Sequence, residues 1–184
     1  NKSKIFAIEP TNYAFKKLTK NLNLNKDLKK NISLNQLFLS KVNRPTKVWS
    51  SWNFDNNNDK HKLHLGTLHS IKKKSYMSLT NFINLKKISK VDFIKLDVDG
   101  HELDVLKSGE KFLKDKKPVI FIEIAPYLYP EFGYKCSKLI TYIKKLKYSF
   151  YSEDLKKIAD IDNYVKKITY GGSENFYLMK NYKT

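Results

Sequence analysis

Short apolar segments alternate with amphipathic ones from the start of the chain. Residues 4–9 form an apolar run that ends at Pro10, and residues 32–40 contain a second run. Between them, from residue 13 to about 24, apolar residues recur at helical spacing, and Asn12 precedes them as the expected N-cap. A strand, a helix and a strand in this order predict a parallel sheet, because two parallel strands need a crossover connection.

The same rhythm resumes in the second half of the chain. The pattern predicts helices over 80–87, 103–113 and 136–146, and strands over 76–79, 91–98, 119–124, 148–151 and 176–179. Residues 41–74 interrupt it with Pro45, both tryptophans and three of the four histidines, which is typical of an irregular or strand-rich insertion. We therefore predict an α/β fold and a single domain over 1–184 that carries this insertion.

The chain is strongly basic, with 36 Lys+Arg against 18 Asp+Glu and a formal net charge of +18. Every basic residue except Arg44 is a lysine, whereas nucleic-acid and phosphate sites favour the flat, bidentate guanidinium group of arginine. We expect a solvated lysine coat and no nucleic-acid partner. A non-catalytic, lysine-rich domain that binds RNA or another anion remains as an alternative.

Two further classes of protein are excluded by simple counts. No apolar run approaches the ~20 residues of a membrane-spanning helix, so we expect a cytoplasmic protein without a membrane span. Cys136 is the lone cysteine, which excludes a disulfide framework and a cysteine-based metal cluster. The sequence gives no indication of an oligomeric state.

Acidic residues stand at the carboxyl ends of three predicted strands, at Glu9, Asp97 and Glu123. In open α/β sheets, ligands bind in the crevice outside those strand ends. A carboxylate that follows the second strand of a nucleotide-binding unit can accept both hydroxyl groups of a ribose. The position of Glu9, directly before Pro10 and a helix, therefore favours a nucleoside cofactor.

The densest acidic cluster is the segment 95–102, which reads Lys-Leu-Asp-Val-Asp-Gly-His-Glu. An EF-hand is excluded, because Lys95 and Leu106 would occupy positions that need oxygen ligands. A haloacid-dehalogenase-like phosphatase with Asp97 as nucleophile remains as an alternative enzyme. His101 is a candidate general base, although a local hydrogen bond at a helix start explains it equally well.

Several blocks, taken in order, resemble the FkbM-type family of S-adenosylmethionine-dependent methyltransferases. They are Phe-Ala-Ile-Glu9-Pro10, Leu37-Phe-Leu-Ser40, Ser78-Leu-Thr-Asn-Phe82, the Asp-Val-Asp-Gly-His-Glu segment at 97–102, and Pro118-Val-Ile-Phe-Ile-Glu-Ile124. The resemblance extends over roughly residues 4 to 152, and the part from 91 to 124 is the most specific. It implies methyl transfer from S-adenosylmethionine to a hydroxyl group of a sugar or another secondary metabolite. The expected partner is therefore a small-molecule or carbohydrate acceptor.

The resemblance also implies a fold and a set of site residues. The fold is a Rossmann-like class I methyltransferase sheet of seven strands flanked by helices, mostly parallel, with an antiparallel last strand. The implied catalytic residues are Asp97, His101 and Glu123. The implied cofactor-binding residues are Glu9 at the ribose, Ser40 near the adenine, Asp97 near the methionine portion, and the neighbouring Pro10 and Val98.

Two departures from the family pattern change these expectations. Asp99 stands where the family usually has Glu, so its charge is kept and its reach is shortened by one methylene. No Gly-rich turn precedes Glu9, since the first glycine is Gly66. We therefore expect the first strand and helix of the fold to be missing from this sequence. Asp97, Asp99 and Glu123 offer hard oxygen ligands, but no spacing demands a metal and we predict no metal ligand.

Overall fold

The computed structural model describes residues 3–41, 46–50, 60, 62–63, 66–71 and 76–180. The chain divides into two compact units, Asn1–Met77 and Ser78–Thr184, which we describe separately. A large part of the predicted insertion over 41–74 lies outside the described residues. No helix in the described part of the chain is long and apolar enough to cross a membrane.

The first unit begins with two parallel strands joined by helices. Its elements are β1 (Ile5–Ile8), α1 (Asn12–Leu24), α2 (Lys26–Lys29) and β2 (Ile32–Asn35). Ile5 pairs with Ile32 and Ile8 with Asn35, so the predicted parallel unit is confirmed. The predicted cap at Asn12 is wrong by one residue, because Thr11 is the N-cap and its carbonyl accepts the Phe15 N–H at 3.0 Å.

The remaining strands of the first unit form two separate pairs. They are β3 (Phe38–Leu39), β4 (Thr46–Ser50), β5 (Thr67–Ile71) and β6 (Tyr76–Met77). β3 pairs with β6 in parallel, and β4 pairs with β5 antiparallel. Phe38 and Tyr76 meet edge to face with ring centroids 5.4 Å apart, and buried Val48 belongs to the same small apolar cluster.

The second unit contains a four-stranded sheet with helices between its strands. Its elements are α3 (Leu79–Leu85), β7 (Phe93–Leu96), α4 (Glu102–Ser108), α5 (Glu110–Lys116), β8 (Val119–Ile124), a 3-10 turn (Tyr129–Phe132), α6 (Cys136–Lys145), β9 (Tyr148–Tyr151), α7 (Ile161–Val165) and β10 (Glu174–Lys180). The strand order is β7-β8-β10-β9. β7 and β8 are parallel, whereas β10 runs antiparallel to both of its neighbours.

β8 lies in the interior of this sheet, between β7 and β10. Its sequence is apolar at five of six positions, but the burial alternates, and Ile120, Ile122 and Ile124 are completely buried. Phe176 and Leu178 on β10 are buried to the same extent. The alternation therefore turns one face of the strand into the core, while Glu123 extends from the other face.

The predicted helix over 103–113 is interrupted at Gly109, which separates α4 from α5. A Cβ atom at Gly109 would lie 2.5 Å from Cδ2 of Leu79, so the first residue of α3 packs directly against this backbone. Ser108 fixes the same junction, since its Oγ accepts the Leu79 N–H at 3.0 Å and its carbonyl accepts the Thr80 hydroxyl at 3.0 Å. The close approach of α3 explains why the pattern of one continuous helix is broken here.

The α/β class predicted from the sequence is confirmed by these elements. The described strands form three two-stranded sheets and one four-stranded sheet, so the continuous seven-stranded sheet stays a prediction.

The core of the second unit predicts a sharp contrast between two Leu→Ala substitutions in helices. Leu139 on α6 is completely buried, whereas Leu85 on α3 is 64% exposed. Leu139→Ala should lower the free energy of unfolding by about 2–5 kcal/mol, because it removes packed methyl groups and leaves a cavity. Leu85→Ala should change it by less than about 0.5 kcal/mol. Chemical denaturation of both variants measures the difference, and equal losses would contradict the assigned core.

Candidate functional site

Three carboxylate groups converge at the carboxyl ends of β7 and β8. Leu96 pairs with Ile122 in the parallel register, so Asp97 and Glu123 are the next residues on adjacent strands. One carboxylate oxygen each from Asp97, Asp99 and Glu123 lie within 4.8 Å of one another. The structure thus brings together two of the three predicted catalytic residues, and it adds Asp99 to them.

Each end of this cluster has its own polar partner. The Lys95 ammonium group forms an ion pair with Oδ2 of Asp97 at 2.5 Å, on the solvent side of the strand. The Ser173 hydroxyl donates a hydrogen bond to Oε1 of Glu123 at 2.5 Å. Ser173 precedes β10, so the loop leading into that strand completes the environment of Glu123.

The neighbouring carboxyl groups shift one another's pKa in opposite directions. Burial acts to raise the pKa of Asp97, but hydrogen bonds with Lys95 and Glu123 outweigh it and hold that pKa below its ordinary value. Burial raises the pKa of Glu123 against the opposing hydrogen bond from Ser173, and the contact with Asp97 and the charge of Asp99 raise it further. The Glu123 carboxyl group is therefore the harder of the two to ionise, which is an arrangement suited to acid–base chemistry.

The turn between β7 and α4 depends on Gly100. This residue has φ +94°, and a Cβ atom there would lie 2.3 Å from a ring carbon of Phe132. The Tyr134 hydroxyl donates to the Gly100 carbonyl at 2.7 Å, and the Gly100 N–H donates to Oε1 of Glu102 at 3.2 Å. Because the preceding Asp99 also has a positive φ, at +46°, the turn holds two consecutive left-handed residues.

Glu102 is the residue of this region that the sequence reasoning missed. Its side chain is buried, with 2% of the residue exposed, and Oε2 has no hydrogen-bond partner among the described residues. Burial raises the pKa of Glu102 to about 8, although backbone N–H groups of Glu102, Gly100 and Val98 oppose the shift. A signal was available, since Glu102 shares a helix face with Leu106, which is also buried.

His101 is almost completely buried, with 3% of the residue exposed. Its ring packs against Phe132 with centroids 4.3 Å apart, and its side chain makes no capping hydrogen bond to α4. An acceptor molecule reaches the half-exposed Asp97 more easily than this ring. Asp97 is therefore the more accessible of these two side chains, and the catalytic roles predicted for both stay predictions.

Tyr127 and Val98 complete the surroundings of the acids. Tyr127 follows β8, and its pKa is raised by burial and by the negative charges of Asp99, Glu123 and Glu131. Val98 is partly buried, and its carbonyl accepts the His101 N–H at 3.2 Å within the turn. The phenol of Tyr127 is thus a polar group near the carboxylates that a bound molecule can contact.

In the first unit, the Glu9 carboxylate lies at the start of α1. Its Oε1 accepts the N–H of Thr11 at 2.7 Å and the hydroxyl of Thr11 at 2.6 Å, next to Pro10. Both bonds use Oε1. Among the described residues no hydrogen bond to Oε2 is seen, so this oxygen is available for a further donor. This contact gives Glu9 a structural role beside the predicted ribose-binding role.

Two buried polar residues lie at the ends of strands of the first unit. Asn35, at the end of β2, donates through Nδ2 to the carbonyls of Ala7 at 3.4 Å and Ser33 at 2.9 Å, and its own carbonyl accepts the Glu9 N–H at 3.2 Å. Ser40 is buried after β3, and its N–H donates to the Met77 carbonyl at 2.9 Å. Asn35 therefore links β1 and β2 next to Glu9, the predicted ribose-binding residue.

The site also contains the donor set that a divalent cation uses. Asp97, Asp99 and Glu123 offer hard oxygen atoms at compatible distances, which suits Mg²⁺ or Ca²⁺ in chemical type. The prediction of no metal ligand stays a prediction.

The chain is similar to known methyltransferases of the FkbM type. The family model for the methyltransferase FkbM domain matches residues 1–150. No curated protein matches the chain. Among solved structures, the chain is similar to the crystal structure of methyltransferase FkbM from Methylobacillus flagellatus KT, with a TM-score of 0.53 and 15% sequence identity. That similarity covers 96% of this chain and 36% of the other, so this chain spans about a third of its length.

The packing at Gly100 predicts a difference between two Gly→Ala substitutions. Gly133 has φ +75° and no atom within 4 Å of the place a Cβ would take, so Gly133→Ala should cost only the left-handed penalty of about 1–2 kcal/mol. Gly100→Ala pays the same penalty and must also displace Phe132, which should add about 1–3 kcal/mol. Denaturant unfolding of both proteins provides the comparison. Similar losses at the two glycines would argue against the tight contact.

The buried Glu102 predicts a distinctive pH dependence of stability. Its folded-state pKa of about 8 lies above the ordinary value of 4.5, so its contribution to the free energy of unfolding is complete below about pH 4.5 and is lost as the pH rises to about 8. Glu102→Gln removes this loss and should be more stable than the parent protein at pH 8 by a few kcal/mol.

Thermal and denaturant unfolding at several pH values measure the effect. Glu153→Gln, at an exposed position, is the matched control and should follow the parent curve. Parallel pH profiles for the parent and Glu102→Gln would contradict a buried, protonated Glu102.

Proposed function

Because the chain belongs to the methyltransferase FkbM domain family, we propose that the protein transfers a methyl group from S-adenosylmethionine to an oxygen atom of a small-molecule or carbohydrate acceptor. The observation that carries the proposal is the pair Asp97 and Glu123, whose pKa values are displaced in opposite directions at the ends of adjacent parallel strands. Open α/β sheets bind their ligands at this edge. The family assignment also replaces the phosphatase alternative for Asp97.

The proposed fold is a Rossmann-like class I arrangement in a single methyltransferase domain. The parallel pairs β1–β2 and β7–β8 support it, and β10 supports the antiparallel last strand of such sheets. In this arrangement the ends of β1 and β7 carry cofactor-binding residues, in agreement with the positions of Glu9 and Asp97.

The residues present suit a nucleoside cofactor with a cationic centre. Oε2 of Glu9 is available to accept a ribose hydroxyl, and we expect Pro10 and Ser40 to contact the rest of the nucleoside. The ionised Asp97 and Asp99 create a negative potential within a protein of net charge +18, and Val98 lies between them. When bound, S-adenosylmethionine supplies a methyl group on a positively charged sulfur that leaves as a neutral thioether.

The acid–base pair gives the acceptor hydroxyl a place to lose its proton. Asp97 is ionised at neutral pH, so its carboxylate can accept a hydrogen bond from the hydroxyl group and orient the oxygen for in-line attack. As the new oxygen–methyl bond forms, the proton of the hydroxyl passes to Asp97. The hydrogen bond between Glu123 and Asp97 stabilises the Asp97 carboxylate before the reaction, while Tyr127 offers a further hydrogen bond to the acceptor.

The proposal predicts the effect of removing the base. Asp97→Asn should reduce methyl transfer by about 10²–10⁴-fold, which is the usual contribution of a positioned general base. Incorporation of a radioactive methyl group from S-adenosylmethionine into a panel of monosaccharide glycosides and hydroxylated metabolites measures it. Asp92→Asn is the control, since Asp92 is exposed at the start of the same segment and pairs only with Lys90 at 2.5 Å among the described residues.

Two results would count against this assignment. Full turnover by Asp97→Asn would show that the base is another group. Absence of methyl incorporation in a protein that calorimetry shows to bind S-adenosylmethionine would argue against the activity itself.

A further inference from the structure

The backbone N–H and the backbone carbonyl of Gly100 are both held by side chains of the second unit. Oε1 of Glu102 accepts its N–H at 3.2 Å, and the Tyr134 hydroxyl donates to its carbonyl at 2.7 Å. The Phe132 ring closes the space in which any side chain at this position would lie. These three side chains thus determine the conformation of the turn at Gly100. Asp99 directly precedes Gly100 in this turn.

Glu102 occupies this position without a counter-ion. No cation of the described residues forms an ion pair with it, and the titratable groups that face it are Asp99 from the turn, Tyr129 and Tyr134 from the segment after β8, and Cys136 from the start of α6. None of these four groups carries a positive charge. Burying a carboxyl group in such surroundings, with one oxygen unpaired, costs more folding free energy than burying an apolar residue. We therefore expect a glutamate at this place only where its hydrogen bond has a role.

We propose that Glu102 is a positioning residue, whose buried carboxyl group holds the Gly100 peptide and thereby fixes the place of Asp99 beside Asp97 and Glu123. This inference rests on the proposed function, because it assigns Glu102 a task in the same acid–base site. Glu102 does not touch the reacting atoms. It acts through the backbone of the turn, in the way that supporting hydrogen bonds orient catalytic side chains in other enzymes.

The proposal also explains the left-handed conformation of Asp99. A non-glycine residue at φ +46° is uncommon, and such conformations persist where the surrounding structure determines them. The Gly100 N–H, which donates to Glu102, belongs to the peptide bond that joins Asp99 to Gly100. The charge of Asp99 is in turn one of the causes that raise the pKa of Glu123. A change at Glu102 should therefore be visible at Glu123, although the two side chains belong to different elements.

An NMR titration of the protein tests the proposal without any substrate. The carboxyl carbons and backbone amides are followed from about pH 4 to about pH 10, a span that covers ordinary and raised carboxyl pKa values. In the parent protein, the Gly100 amide proton should shift with the same midpoint as the Glu102 carboxyl carbon. Glu102→Gln keeps an accepting oxygen but does not ionise, so it should abolish that shift while Gly100 hydrogen exchange stays within about threefold of the parent.

Glu102→Leu removes the accepting oxygen. Hydrogen exchange of the Gly100 amide should accelerate at least about tenfold, as expected for one lost hydrogen bond. The pKa of Glu123 should fall toward its ordinary value, because Asp99 is no longer held beside it. A merely structural role for Glu102 would not move the pKa of Glu123 in a variant that keeps its fold. Glu153→Gln is the matched control and should leave the Gly100 amide and the Glu123 pKa unchanged.

Each outcome either supports the positioning role or removes it. If Glu102→Leu does not fold, the titrations of the parent and Glu102→Gln are sufficient to test the hydrogen bond. A Gly100 amide that fails to follow Glu102, or that still titrates in Glu102→Gln, would overturn the proposal. So would a folded Glu102→Leu with unchanged Gly100 exchange or an unchanged Glu123 pKa. Because none of these measurements involves methyl transfer, failure of the proposed activity would be recognised separately.

Discussion

The parallel pairing of β7 with β8 sets Leu96 opposite Ile122, and this register determines which side chains meet beyond the two strand ends. The burial of Ile120, Ile122 and Ile124 fixes the face of β8 that packs into the core, so Glu123 extends from the opposite face. A slip of one residue would reverse that alternation and bury a carboxylate in an apolar core. Hydrophobic burial of the three isoleucines thus determines where the Glu123 carboxylate lies.

The turn after β7 meets the same requirement by different means. It brings the carboxylates of Asp97 and Asp99 close to that of Glu123 over a few residues. Left-handed conformations at Asp99 and Gly100 reverse the chain, and Phe132 and Tyr134 pack against the turn from the segment after β8. The site is therefore built from two adjacent strand ends and the loops that follow them, as in other open α/β sheets.

Much of this arrangement was predictable from the sequence, because it depends on local pattern. The apolar runs located β1, β7 and β8, and the acids directly after or near their ends followed from the rule that ligands bind at the carboxyl edge. The interruption at Gly109 was not predictable from periodicity, since the cause is a contact with Leu79, which is distant in sequence. Tertiary packing decides such positions, and the local pattern carries no information on it.

The contacts of single polar residues could not be predicted from the sequence. Glu102 stands in the first turn of a helix, where acidic residues are usually solvated and interact with the helix dipole. Its burial results from the segment 127–136, which covers this turn and supplies Tyr129 and Tyr134. Glu9 shows the converse, because a position typical of cofactor recognition also makes two short bonds to Thr11. In both cases the residue type was visible in the sequence, but its partners depend on the fold.

The position of β10 between β8 and β9 has a consequence for how the protein is made. During synthesis on a ribosome, β8 and β9 emerge first and leave between them an open apolar slot. Only when residues 174–180 have emerged do Phe176 and Leu178 fill it. Ser173, which contacts Glu123, arrives with the same segment. The nascent chain must therefore avoid intermolecular strand pairing at this slot until the closing strand is available, and the hydrogen bond from Ser173 to Glu123 forms only at that late moment.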